Sequence, residues 1–229
     1  RRQRRPFAVR LITGLPGFCK RKPLGAFGLG IILFMIFIAI AEPLVTFHDP
    51  MKWNMRAMTA PPSTTYWLGT DDYGRDLWSR IVVGARISLF VGFGSVALGS
   101  VSGAAIGILS AYYGGKVDNI VQRVMDALMA IPTLILALAI MASLGQSVFN
   151  VILAVAFPQI PRANRVVRSQ ALAVRNSEYA MAAESIGATD MRIMVQHIMP
   201  QCVAPWLIIA SASLGVAIIS ESSLSFLGL

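Results

Sequence analysis

Long apolar runs separated by short charged intervals organise this chain. Residues 24–41 hold 18 positions without a charge, enough for roughly 27 Å of helix, the thickness of a bilayer's hydrocarbon core. They predict a first span, ended by Glu42 and Pro43. Residues 87–115 are 29 uncharged positions and predict a second span. Residues 127–161 hold 35 more, too many for one crossing, and Gly145-Gln146-Ser147 divides them into spans three and four. Pro132, near the start of span three, marks either a kink or a simple helix start. Residues 203–220 form a fifth span. The pattern therefore predicts an all-α, polytopic membrane helical bundle with five visible spans.

The intervals carry the remaining local signals. Residues 1–23 are basic and broken by Pro6, Pro16 and Pro23, so little regular structure is expected there. In residues 42–86, Thr70 as a cap and Asp71 and Asp72 in a first turn predict a short external helix leading into span two. Its i,i+4 pairs would be Asp71–Arg75 and Asp76–Arg80. Within span two, Ser95, Gly99, Gly103, Gly107 and Ala111 recur at every fourth position. They form a small-residue seam along which a neighbouring helix backbone can come close. Residues 178–201 are a polar, part-helical insert between apolar stretches. A helix over 178–186 is broken by Gly187 in a left-handed turn, and Thr189 caps a second helix that Pro200 closes about three turns later.

Composition and charge fit a membrane protein. Apolar residues make up 55% of the chain and charged residues 14%, far from the soluble balance. Lys and Arg number 20 against 11 Asp and Glu, but the excess is topological rather than a nucleic-acid signal. Eight bases and no acid fall within the first 22 positions, which puts the N-terminus in the cytoplasm. The apolar run beyond them lacks a cleavage site and reads as a retained anchor. Residues 42–86 balance five acids with five bases and belong outside. Arg162, Arg165, Arg168 and Arg175 return the chain to the inner side. Cys19 and Cys202 both fall near that side and make neither a disulfide framework nor a metal pattern. His48 and His197 lie on opposite sides and cannot share a metal. Glu221 falls near the outer interface; deeper in a bilayer an acid would be a functional candidate.

Catalytic signals are sparse. The DDYGRD cluster of residues 71–76 offers paired carboxylates but no nucleophile, histidine or phosphate cradle beside them, and reads as structural. Gly114-Gly115-Lys116 does not make a P-loop, because Val117 follows where Ser or Thr is needed.

The insert also carries a resemblance. Ala182, Ala183, Gly187 and Pro200 match, at the right spacing, the signature EAA, three residues, G, nine residues, I-x-L-P. That signature marks the cytoplasmic loop of bacterial ABC-importer permeases. Met181, His197 and Met199 depart from it. WLGTDDYGRDLWSRIVVGARISL (residues 67–89) and ESSLSFLGL (residues 221–229) resemble segments of the dipeptide, oligopeptide and nickel branch, in the same order. The resemblance runs from about residue 24 onward and implies a type I ABC-importer permease fold of six spans. It implies a multi-pass permease of the bacterial inner membrane, with no covalent chemistry of its own, forming the path for peptides or nickel. The implied partners are a second homologous permease, two ABC ATPase subunits and an external substrate-binding protein, within the lipid bilayer. ATP and Mg would be held by the ATPases, with no cofactor, metal or nucleic acid bound by this chain. The core would be residues 87–229, with residues 171–200 as the coupling insert. There Glu178 would either pair with a partner's base or stay hydrated at the surface, Ala182 and Ala183 would allow close approach, Gly187 would make the turn and Pro200 the re-entry. Which residues bind substrate is not legible. The competing reading is a passive channel or scaffold subunit, disfavoured by the near absence of intramembrane charge.

Overall fold

Helices account for nearly all the regular structure of residues 22–228, the part described by the computed structural model. The expectations for residues 1–21, including Cys19, lie outside it. The helices are α1 (Pro23–Val45), α2 (Leu77–Tyr113), α3 (Gly115–Ala130), α4 (Thr133–Leu144), α5 (Val148–Ala156), α6 (Ile160–Arg175), α7 (Glu178–Ser185), α8 (Asp190–Ile193) and α9 (Met199–Phe226). Three helical stretches are long and apolar enough to cross a membrane: Pro23–Val45, Leu77–Tyr113 and Asp190–Phe226. A fourth arises if α3 and α4, bent by 93° at their junction, count as one. Expected spans one, two and five are thus single long helices. Spans three and four are shorter and broken, since α4 has 12 residues and α5 only 9. The chain divides into two units, Arg1–Ile87 and Ser88–Leu229.

In the first unit, α1 runs past its expected end. Pro23 occupies the helix start, where its missing N–H costs nothing, while Glu42 and Pro43 sit inside the last turn rather than ending it. Thr46 closes the helix, donating from its N–H and its hydroxyl to the Glu42 carbonyl at 3.0 and 2.7 Å. Beyond it, aromatic rings pack in pairs: Phe47 on Trp67 at 5.0 Å, Trp67 on Trp78 at 5.5 Å and Trp53 on Tyr73 at 5.3 Å between centroids.

The external helix expected from Thr70 is absent. Residues 70–76 instead make a tight reversal closed by an isolated bridge between Thr70 and Asp76. Gly74 (φ +70) abuts the Asn54 backbone so closely that any β-carbon would collide with it. Asp71 organises this turn rather than a helix N-terminus. It accepts from the N–H groups of Tyr73 and Arg75, each at 2.9 Å, and pairs with the Arg75 side chain at 2.8 Å and with Arg80. Burial works to raise its pKa, but the Arg75 N–H, the Arg75 guanidinium and the Tyr73 N–H outweigh burial and bring it down to about 2. Asp76 does not pair with Arg80 as expected. It caps α2, accepting from the Ser79 N–H at 3.1 Å and the Ser79 hydroxyl at 2.5 Å. The signals for a helix start were real, but they belong to Leu77, nearly two turns later.

The second unit is built around the seam. Ser95 donates to the Ile152 carbonyl at 3.2 Å. A β-carbon on Gly99 would lie 2.5 Å from the Ala156 carbonyl oxygen, and one on Gly107 would lie 2.8 Å from that of Asn164. One on Gly103 would overlap the Ile160 carbonyl oxygen. Fully buried Ala111 accepts from Arg175 at 3.1 Å through its carbonyl. Ser95, Gly99, Gly103 and Gly107, four apart on α2, thus meet Ile152, Ala156, Ile160 and Asn164, four apart and in the same order, while the long Arg175 side chain reaches back to Ala111. The two helical stretches run parallel, backbone against backbone, as the small-residue period predicts. Pro158 opens the second of them into a 3-10 turn at Phe157–Gln159 without ending it.

Candidate functional site

The insert begins where α6 ends at Arg175 and is fastened on its inner side. Glu178 lies in the first turn of α7, and Ala180 and Ala183 point inward, 3% and 7% exposed. Ala183, Ile193, Met194 and Ile198 join Val167, Ala171 and Val174 of α6, Ala111 of α2 and Cys202 of α9 in one apolar cluster. Burying such side chains stabilises by roughly 1.5–3 kcal/mol for each large one, so the insert is seated on the bundle rather than loosely tethered. Of the two signature alanines, Ala182 alone is exposed. Ala183 packs into the seat, and Ala182 faces outward.

Gly187 adopts φ +81. Around it the Ala188 N–H returns to the Ala183 carbonyl at 3.1 Å and the Gly187 N–H to that of Glu184 at 2.9 Å. This is a left-handed glycine terminus that satisfies the last carbonyls of α7. It leaves Ile186 85% exposed and Met191 66% exposed at the tip, an apolar knob beside exposed Met181 and Ala182.

Past the turn the structure departs from expectation. Thr189 is extended, as an N-cap should be, but its side chain makes no capping bond. Pro200 does not close a helix. α8 widens into a π-turn at Met194–Ile198 and continues directly into α9, with Pro200 in the first turn of the new segment. The cause lies in proline itself. Lacking an N–H, it cannot donate to the carbonyl four residues back, and its ring crowds that carbonyl. The helix absorbs the defect by bonding the Met199 N–H to the Met194 carbonyl, five residues back. The insert's second half and the last long helix are therefore one rod.

Polar struts tie this region to α2 and α3. The Tyr112 hydroxyl donates to Asp190 at 2.8 Å, and the Arg175 guanidinium lies 5.8 Å over the Tyr112 ring. Arg168 engages Asp118 through two hydrogen bonds, one of 2.6 Å, and Arg165 pairs with Asp126 at 2.6 Å. Gln122 donates to fully buried Asn164 at 3.2 Å. Three of the four arginines that sequence reading took as topology markers thus also pin helices. Helix α3 itself was not anticipated; the signal for it was the apolar spacing of Val117, Ile120, Val121, Val124 and Met125. Glu221, expected at an interface, is 9% exposed and accepts a hydrogen bond from Ser88 at 2.8 Å.

Comparison with known proteins finds relatives over most of the length. Residues 103–229 match the family described as binding-protein-dependent transport system inner membrane component. Residues 19–62 match the N-terminal transmembrane domain of oligopeptide transport permease C. Among curated relatives, a putative peptide transport system permease protein of Brucella suis is 41% identical over 202 residues, covering 88% of this chain and 68% of the relative. A dipeptide transport system permease protein of Alkalihalophilus pseudofirmus is 40% identical over 210 residues, covering 92% and 69%. A glutathione transport system permease protein of Pectobacterium atrosepticum is 38% identical over 204 residues, covering 89% and 68%.

Proposed function

The chain belongs to the family of binding-protein-dependent transport system inner membrane components, and from that premise we propose that it is one of two homologous permease subunits of an ATP-driven peptide importer. Its relatives are named for peptide, dipeptide and glutathione transport. The class of cargo is a small peptide carried through the bundle after delivery by an external binding protein. Two ABC ATPase subunits on the cytoplasmic side hold ATP and Mg. The chain crosses the bacterial inner membrane with its N-terminus in the cytoplasm, as the eight bases in its first 22 positions favour.

The observation that carries this reading is the two-faced insert. Ala180, Ala183 and Ile193 lock it into the bundle, and the Gly187 turn presents Met181, Ala182 and Ile186 outward. Such an element transmits a push. When the ATPase dimer closes, a groove on its surface moves the knob. The rod through Met194–Ile198 carries that movement into α9, while Tyr112–Asp190 carries it into α2. The two ends of an alternating-access cycle then differ in free energy because the partner's contacts differ between them.

ATP-dependent uptake of a radiolabelled dipeptide into proteoliposomes holding the reassembled complex tests the proposal. Accumulation above the external concentration is expected only with ATP and loaded binding protein. Flux without ATP would instead support a passive channel. Nickel uptake without peptide uptake would move the cargo class to the metal.

A further inference from the structure

The one charged residue of α9, a helix of 28 residues, is Glu221. The residue as a whole is 9% exposed. Removing a carboxylate from water costs several kcal/mol unless a cation or several donors compensate it. Here the compensation is incomplete. Oε2 accepts from the Ser88 hydroxyl at 2.8 Å and lies 3.5 Å from that of Ser222, both neutral donors. Oε1 accepts from no described residue, yet it is not sealed off from solvent. Among the described residues no Lys, Arg or His lies within ion-pair distance of it. Ser88 holds the carboxylate in place, and one oxygen stays open for a donor from outside the described residues.

Resting on the peptide-importer reading above, we infer that Glu221 is a binding site for the ammonium end of the transported peptide. Peptides, dipeptides and glutathione differ in length and linkage but share a primary ammonium, with three N–H donors and the charge this carboxylate lacks. Glu221 also stands at the right end of its helix. It is roughly 33 Å from Met199 at helical rise, away from the insert and towards the side on which a binding protein releases cargo. The site would recognise what all such cargo has in common and leave side chains unread.

The test compares ATP-driven uptake of a dipeptide with that of its des-amino analogue, in which hydrogen replaces the ammonium. Each is delivered by saturating binding protein to the full complex carrying wild-type chain, Glu221→Gln or Glu221→Asp. The binding protein's own preference is common to all three and cancels when the ratios are compared. The preference for the ammonium form should fall about tenfold or more in Glu221→Gln, the scale of one charge-assisted hydrogen bond. It should survive in part in Glu221→Asp. An unchanged ratio overturns the inference. So does an equal loss of both uptakes, or loss of the assembled complex, either of which would make the missing cation a structural Lys or Arg, from a partner subunit or from outside residues 22–228. If the wild-type complex takes up neither compound, the peptide reading itself fails, and this site with it.

Discussion

Gly103→Leu should leave no stably folded bundle. At Gly103 even a single added carbon would overlap the Ile160 carbonyl oxygen and lie 2.8 Å from the Ala163 side chain and 3.1 Å from the Asn164 nitrogen. Two of these three neighbours are backbone atoms of a helix, which cannot rotate aside as a side chain can. Leucine brings three carbons more. Overpacking in a well-packed interior typically costs about 1–3 kcal/mol where neighbours can adjust, and rigid backbone puts this site at or above that range. Forcing α2 away from α6 would also loosen Gly99 and Gly107, so the damage would spread along the seam. We expect aggregated or polydisperse protein on size-exclusion chromatography in mild detergent, with Gly103→Ala intermediate. A monodisperse leucine variant that melts at the wild-type temperature would mean that the seam is not a helix contact.

Gly187→Val should act in the opposite way, sparing the fold and removing transport. No atom lies within 4 Å of a β-carbon built there, so crowding is not the issue. The strain is in the backbone. At φ +81 an L-residue costs roughly 1–2 kcal/mol, and β-branching makes it worse. α7 has only 8 residues and cannot hold its shape without its seat and its turn. A penalty of that size displaces the knob in most molecules, so uptake should drop to about a tenth or less, while expression in the membrane stays normal. Gly187→Asn should retain most activity, because asparagine tolerates the left-handed region. Wild-type uptake by the valine variant would remove the turn from the mechanism.

These two glycines were legible in the sequence because each announces itself by a local rule. One sits in a four-residue period of small side chains, the other in a break between helix formers. The long apolar runs that became α1, α2 and α9 were legible for a similar reason, since uncharged length alone dictates a helix in lipid. What escaped depended on partners distant in sequence. Asp71 and Asp76 carry the same charge and the same helix-start propensity. Only the packing of Asn54 against Gly74 makes one a turn organiser and the other a cap. Pro200 looked like a stop, and nothing local foretold that a π-turn would carry the helix through it. Ala183 and Ala182 are identical in type and adjacent, yet their opposite exposures follow from which one faces α6 and α9. For Glu221, helical rise along α9 gives a position towards the outer interface but says nothing of its surroundings. Its burial needed Ser88, 133 positions away, to be brought beside it.

The central claim is that the insert is the contact through which partner ATPases drive this subunit. Affinity purification of the full-length chain from its native membrane in mild detergent, with identification of every co-purifying subunit, tests it most directly. ATPase subunits should be recovered with the wild-type chain. They should be lost with Ala182→Trp, which adds bulk to the exposed face while leaving buried Ala180 and Ala183 untouched. The second permease should remain bound in both. Recovery of the ATPases at wild-type levels with the tryptophan variant, or their absence from the wild-type preparation, would contradict the account.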